Sequence, residues 1–207
     1  MEQRSPEWFA ARLGKVTASR VADVIAKTKT GPAASRANYL SELVLERLTG
    51  EPLPSFTNAA MQWGTDKEPE ARDAYGFMHD AVTECAFINH PTIAMSGASP
   101  DGLVGDVGLV EIKCPSSATH LDTLRGAPIP AKYVAQMQWQ MACTGRAWCD
   151  FASYDPRFPP AMQLHVQRVA RDDAFIAEVE REVAAFLDEV AEAVESLNAT
   201  YAERLAA

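Results

Sequence analysis

Up to about residue 78 the apolar positions recur every three or four residues, and after Asp80 they alternate. Ser5-Pro6 opens an amphipathic helix with a capping serine and proline at the first helical position. It runs through Leu13, and Gly14 stops it. A second helix is expected from Thr17 to Ser19 onward. A third covers about Ser35 to Leu48, closed by Gly50 and Pro52, and a longer one covers Asn58 to Met78. Gly64 is a weak point in that last helix, and Pro69, lacking an amide proton, predicts a kink or break near Glu68. The segments VTECAFI, TIAMSGAS, DGLVG and GLVEIKC then read as neighbouring strands. Helices return over Ser117–Leu124 and Pro130–Cys143, two strands follow in AWCDFASY and MQLHVQRV, and a long acidic helix runs from Asp172 to about Leu205. This order predicts an α/β (α+β) fold, a mixed sheet flanked by helices.

A chain of 207 residues, 47% apolar and 23% charged, suits one globular domain spanning residues 1–207. No apolar run approaches the roughly 18 residues that cross a bilayer. MEQRSPEWF has no apolar core for a secretion signal, so a cytoplasmic protein without a membrane partner is expected. Cys85, Cys114, Cys143 and Cys149 form no CxxC pair and read as reduced, mostly buried thiols; His79, His90, His120 and His165 are equally scattered. The net charge of −9 is unevenly spread. Residues 172–207 carry a net −8, whereas Arg12 to Arg36 carries +5. That basic segment is either a solvated face or a surface for phosphates, with the acidic tail facing away.

The densest chemistry lies in SPDGLVGDVGLVEIKC, residues 99–114. In a strand Glu111 and Lys113 share one face while Ile112 takes the other. A three-residue loop Asp106-Val107-Gly108, with Gly108 in the left-handed region, predicts pairing of Leu103 with Glu111 and of Asp101 with Lys113. All three charges then cluster. Two close carboxylates call for a cation between them, and oxygen ligands without histidine or thiolate favour Mg²⁺ or Mn²⁺. The Ile112 carbonyl is a further candidate ligand, and Lys113 a group to orient water or offset phosphate charge, the arrangement of metal-assisted phosphodiester hydrolysis. A surface hairpin with an ordinary Asp–Lys pair fits the same spacing.

WFAARLGKVTAS, WGTDKEPEAR, SPDG with EIKCP, YVAQMQWQM and FASYDPR, in this order, resemble the lambda exonuclease family of phage-type recombination nucleases, built on the PD-(D/E)xK restriction-endonuclease-like core. The resemblance implies metal binding by Asp101, Glu111 and the Ile112 carbonyl, with Lys113 the catalytic lysine and Glu68 completing the site through water or a second ion. It makes Gln136 the motif glutamine, with Gln140 one turn on. Arg12, one turn from Trp8, becomes the group that binds a 5′ phosphate, helped by the hydroxyls of Ser19 and Ser99; by itself Ser19 reads as a helix cap. Met61 falls where the family places an apolar wedge, and a core methionine is the plainer alternative.

The resemblance further implies a homotrimeric ring on double-stranded DNA ends, two Mg²⁺ per site and a single-strand annealing protein as partner. The expected activity is 5′-to-3′ degradation of 5′-phosphorylated duplex to mononucleotides, leaving 3′ overhangs. The same core also serves endonucleases and nickases, and a DNA-end-binding accessory protein is the non-catalytic alternative.

Overall fold

The computed structural model describes residues 3–54 and 58–206, and side chains as far as residue 202, so the side chains of Glu203 and Arg204, part of the C-terminal charge count, are outside the described ones. Helix α1 spans Pro6–Arg12; the Ser5 hydroxyl accepts from the Trp8 amide at 3.2 Å, and Gly14 follows at φ +66°. The expected second helix starts later. Val16–Thr17 form a two-residue strand β1, Ala18–Arg20 a 3₁₀ turn, and Val21–Val24 helix α2. Tertiary pairing decides this, because β1 runs parallel to Ser96 and Gly97 with both of its side chains buried. Ser19 therefore lies inside the turn and caps nothing.

A small ribbon of β2 (Lys27–Thr28) and β3 (Gly31–Pro32) leads to α3, Ala34–Thr49, which ends on Gly50 at φ +71°. Helix α4 is continuous over Ala59–Met78, with the Asn58 side chain accepting from the Met61 amide. The break expected at Pro69 does not occur. Pro69 lies on the exposed side of the helix, where water can serve the carbonyl that loses its amide partner.

The strands after α4 fall into two sheets rather than one meander. β4 (Val82–Thr83), β7 (Gly102–Val104), β8 (Gly108–Lys113), β9 (Trp148–Tyr154) and β10 (Leu164–Ala170) form a mixed sheet in the order β10-β9-β8-β7-β4. β5 (Ile88–Asn89) and β6 (Ser96–Ala98) join β1 instead. TIAMSGAS supplies only β6, because Met95 turns the chain at φ +58°. β8 and β9 are parallel and need a crossover, supplied by α5 (Ser117–Leu124) and α6 (Ala131–Thr144). The hairpin pairs Val104 with Gly108 and Leu103 with Leu109, a two-residue slip from expectation. Gly105, at φ +50°, makes the turn, and Gly108 sits in the strand because the Trp148 ring covers it. An even slip leaves the faces unchanged, so Glu111 and Lys113 remain together.

Helix α7, Asp173–Ala206, docks through Ile176, Val179, Val183, Phe186 and Val190, the i, i+3, i+7 stripe of an amphipathic helix. Tyr39 and Leu43 of α3 belong to the same core, where Tyr39 stacks on Phe186 at 5.6 Å. Burying each large apolar side chain contributes roughly 1.5–3 kcal/mol, against at most about 1 for an exposed ion pair, so the stripe fixes the helix. Its flanking acids then meet the basic segment: Lys27 pairs with Glu182 at 2.6 Å and Arg36 with Glu189 at 2.7 Å. The expectation that the acidic tail faces away from Arg12–Arg36 is thus corrected. All four cysteines are free, and among the described residues no helix is long and apolar enough to cross a membrane.

Candidate active site

A glutamate in the centre of a sheet needs donors to replace water. Glu111 is 0% exposed, and three side chains supply them. Gln136 donates to its Oε1 at 2.7 Å, Gln140 donates to its Oε2 at 2.6 Å, and Lys113, two residues along β8, donates to Oε1. The two glutamines lie one turn apart on α6, as the spacing in YVAQMQWQM predicts. The Cys149 thiol approaches Gln140 Oε1 at 3.8 Å, which orients the amide so that its NH₂ faces Glu111.

Strand β7 stops at Gly102, and the Asp101 carboxylate takes the next rung: its Oδ2 accepts from the Ile112 amide at 2.7 Å. In a strand the amide and carbonyl of one residue point to the same side, so the Ile112 carbonyl is directed past the end of β7, beside Asp101. Burial, then the charge of Glu111, lifts the Asp101 carboxyl well above the usual carboxylate range. Burial works to lower Lys113, but Glu111 and Asp101 outweigh it and raise its pKa, so it stays an ammonium. Two acids under mutual repulsion beside a carbonyl make an all-oxygen donor set. That is the chemistry a hard divalent cation fits, and its charge would relieve the repulsion on Asp101.

Glu68, midway along α4, accepts from Arg4 at 2.8 Å and from Arg72 at 2.9 Å. Its charge is felt at Asp101, yet the two arginines hold it, and among the described residues no three His, Cys, Asp or Glu side chains are grouped closely enough to hold a metal ion. Met61 is 53% exposed, which removes the core alternative. Seven residues before Glu68, it shares a helix face with that residue about 10 Å along the axis.

Of the four residues expected around a 5′ phosphate, all but Ser19 come together. Trp8 Nε1 donates to Ser99 Oγ at 2.9 Å and Arg12 donates to the same oxygen at 3.2 Å, while the Arg12 guanidinium lies 4.0 Å over the Trp8 ring. Burial pushes Arg12 down to about 10, which leaves it charged at neutral pH. It forms no ion pair with a described residue. The Ser19 hydroxyl shares a hydrogen bond with that of Thr17 at 3.4 Å and, among the described residues, none with this group. The parallel register of Thr17 with Gly97 nevertheless sends Ser19 and Ser99 out of the same end of the small sheet.

Other participants were not among the residues expected at the site. Phe87 lies 5.9 Å from Arg12, Tyr133 lies 5.0 Å from Lys113, and Gln3 ties the N-terminal segment to the carbonyls of Cys85 and Pro100. Only Tyr133 was findable, three and seven residues before Gln136 and Gln140 on one helix face.

Residues 7–147 match the family model described as a YqaJ-like viral recombinase domain. No curated protein matches. Among solved structures, the alkaline exonuclease LHK-Exo from Laribacter hongkongensis is 57% identical, with a TM-score of 0.89 over 96% of this chain and 99% of that one. The same enzyme in complex with dAMP matches equally well. A phage-related exonuclease from Haemophilus somnus shares the fold at 15% identity, with a TM-score of 0.71 over 88% of this chain and 96% of that one. With its Asp101–Glu111–Lys113 hairpin, the chain belongs to the YqaJ-like, lambda-exonuclease-like family of viral recombinase domains and is a nuclease of the phage recombination type.

Proposed function

We propose that the protein is a Mg²⁺-dependent exonuclease that degrades one strand of duplex DNA 5′ to 3′ from phosphorylated ends, releases mononucleotides and leaves 3′ overhangs for annealing. The observation that carries this reading is the position of the Trp8–Arg12–Ser99 group beside the acids. Ser99 precedes Asp101 by two residues, a span of at most about 7 Å. An anion pocket that close to the cleavage centre leaves room for about one nucleotide. The dAMP bound to the alkaline exonuclease relative belongs to the product class this predicts.

Asp101, Glu111 and the Ile112 carbonyl would hold Mg²⁺, with Mn²⁺ as a substitute, and Glu68 would serve a second ion or a bound water once Arg4 and Arg72 yield. The bound ion supplies Lewis acidity and a more acidic water. Arg12 binds the terminal phosphate with its paired N–H groups, a task for a planar and permanently charged side chain. Lys113 stays protonated between Glu111 and the reacting phosphate, where it offsets charge and orients the attacking water. Gln136 and Gln140 keep Glu111 aimed. Met61, exposed on the face of Glu68, serves as the wedge at the terminal base pair.

A homotrimeric ring and an annealing protein as partner belong to the same reading. Phe77, 93% exposed, and its neighbour Met78 are apolar surface of the kind that assembly covers. Duplex labelled at either 5′ or 3′ terminus tests the reaction. Early release of the 5′ label as a mononucleotide is expected, and rapid cutting of covalently closed circles would instead show an endonuclease.

A further inference from the structure

The FASYDPR segment contains one cation that the reading above leaves unused. Strands β8 and β9 are parallel with Lys113 opposite Ser153, so Tyr154, Asp155 and Arg157 leave the sheet at the same end as the catalytic lysine. On the other flank of β8, Ser99 and Asp101 enter β7 at that end too. Arg12 and Arg157 therefore bracket the cleavage centre. The strands that carry the two flanks, β7 and β9, are two strand spacings apart, about 10 Å.

Arg157 is held in place. Its Nε and Nη2 donate to the two Asp155 oxygens at 2.7 and 2.9 Å, and its backbone amide donates to Oδ1 at 3.0 Å. Asp155 is fully buried, and the Ser117 hydroxyl donates to it at 2.7 Å. The Arg157 side chain is 49% exposed, and its guanidinium lies 4.4 Å over the ring of Trp63 on α4. A second cation, Lys67, is 5.4 Å from the same ring, braced by Glu70, which also accepts from the Tyr154 hydroxyl. The Trp63 indole N–H is shielded from solvent and has no acceptor among the described residues.

A buried carboxylate that grips an arginine by one edge fixes its rotamer before any ligand arrives and leaves the remaining edge facing water. An exposed ion pair alone gives little stability. A guanidinium fixed in this way suits a phosphate. The geometry points to a second DNA contact, resting on the exonuclease reading: Arg157, with Lys67 and the Trp63 platform, binds a backbone phosphodiester of the digested strand on the 3′ side of the scissile bond. Arg12 takes the end, and Arg157 holds the strand that follows.

Binding is measured by fluorescence anisotropy of labelled, 5′-phosphorylated duplex in a Lys113→Ala background. Adding Arg157→Gln should weaken binding about tenfold and lower the slope of log K against log salt by about 1. A single neutral methylphosphonate placed successively along the first nucleotides of the digested strand should cost affinity at one position 3′ of the scissile bond. Arg157→Gln should abolish that cost, and Arg157→Lys should restore part of the slope. Unchanged slope and methylphosphonate profile would overturn the site. Should Arg157→Gln fail to fold, a flat methylphosphonate scan with Arg157 intact would overturn it equally. Parallel digestion by the wild-type protein separates the two claims, since failure to degrade the duplex would count against the exonuclease reading itself.

Discussion

Gln140→Leu isolates the physics that lets a glutamate sit at the centre of the sheet. The leucine matches the glutamine in size but removes the 2.6 Å bond to Glu111 Oε2, at a position 0% exposed where water cannot replace it. A buried charged acceptor that loses a donor costs about 2–3 kcal/mol. In a chain of this size that lowers Tm by roughly 4–12 °C. Gln136→Leu removes a bond of 2.7 Å from the same carboxylate, but Gln136 is partly open to solvent, so its cost should be nearer 1 kcal/mol. Thermal and urea unfolding of both variants, without divalent cations, give the order. In a Glu111→Leu background the Gln140→Leu change should become nearly neutral, because acceptor and donor are then both gone. Equal costs for the two glutamines, or a Gln140→Leu penalty that persists without Glu111, would refute the reasoning.

Arg12→Ala should bring the rates on 5′-phosphorylated and dephosphorylated duplex to near equality, while Arg12→Lys keeps part of the preference through charge alone; paired rate measurements check both. Asp155 behaves as a depressed acid. Against the upward pull of burial, bonds from Arg157 and Ser117 hold it at about 2, so the stability it contributes is present above the ordinary carboxylate range and is lost as pH falls from about 4 toward 2. Asp155→Asn should therefore cost about 1–2 kcal/mol at pH 7, discounted for the half-exposed arginine, and the gap from wild type should close across that acid window in urea melts. Gly108→Ala would place a Cβ 2.1 Å from the Trp148 ring, itself covered by Arg168 at 3.4 Å, and should cost about 1–3 kcal/mol by calorimetry.

Local signals located most elements, because caps, glycines and apolar period act within a few residues. Ser5-Pro6, Gly50 and the stripe of α7 all fall where their chemistry places them. What the sequence hid was decided at long range. Val16-Thr17 becomes a strand only because Ser96-Gly97 is there to pair with it, and the expected meander divides for the same reason. The hairpin slipped by two residues because the Trp148 ring needs Gly108 flat against it, a contact across 40 positions. In the site, Glu111, Lys113, Gln136 and the Trp8–Arg12–Ser99 group were legible from spacing and motif. Arg4 on Glu68 was not, since an ion pair between segments leaves no periodic trace, whereas Arg72 stands at the i, i+4 spacing from Glu68 within α4. The docking of α7 on the basic segment was missed because net charge was read without the apolar stripe that decides where the helix lies.

The central claim is that Asp101, Glu111 and Lys113 form a cation-dependent phosphodiester-cleaving centre. Internally labelled, 5′-phosphorylated duplex incubated with wild-type protein or Lys113→Ala, in Mg²⁺ or in chelator, tests it most directly. Acid-soluble nucleotide should appear only with wild type and Mg²⁺, while the variant still shifts the duplex in a binding gel. Nucleotide release by wild type in chelator, or by Lys113→Ala at a comparable rate, would contradict it.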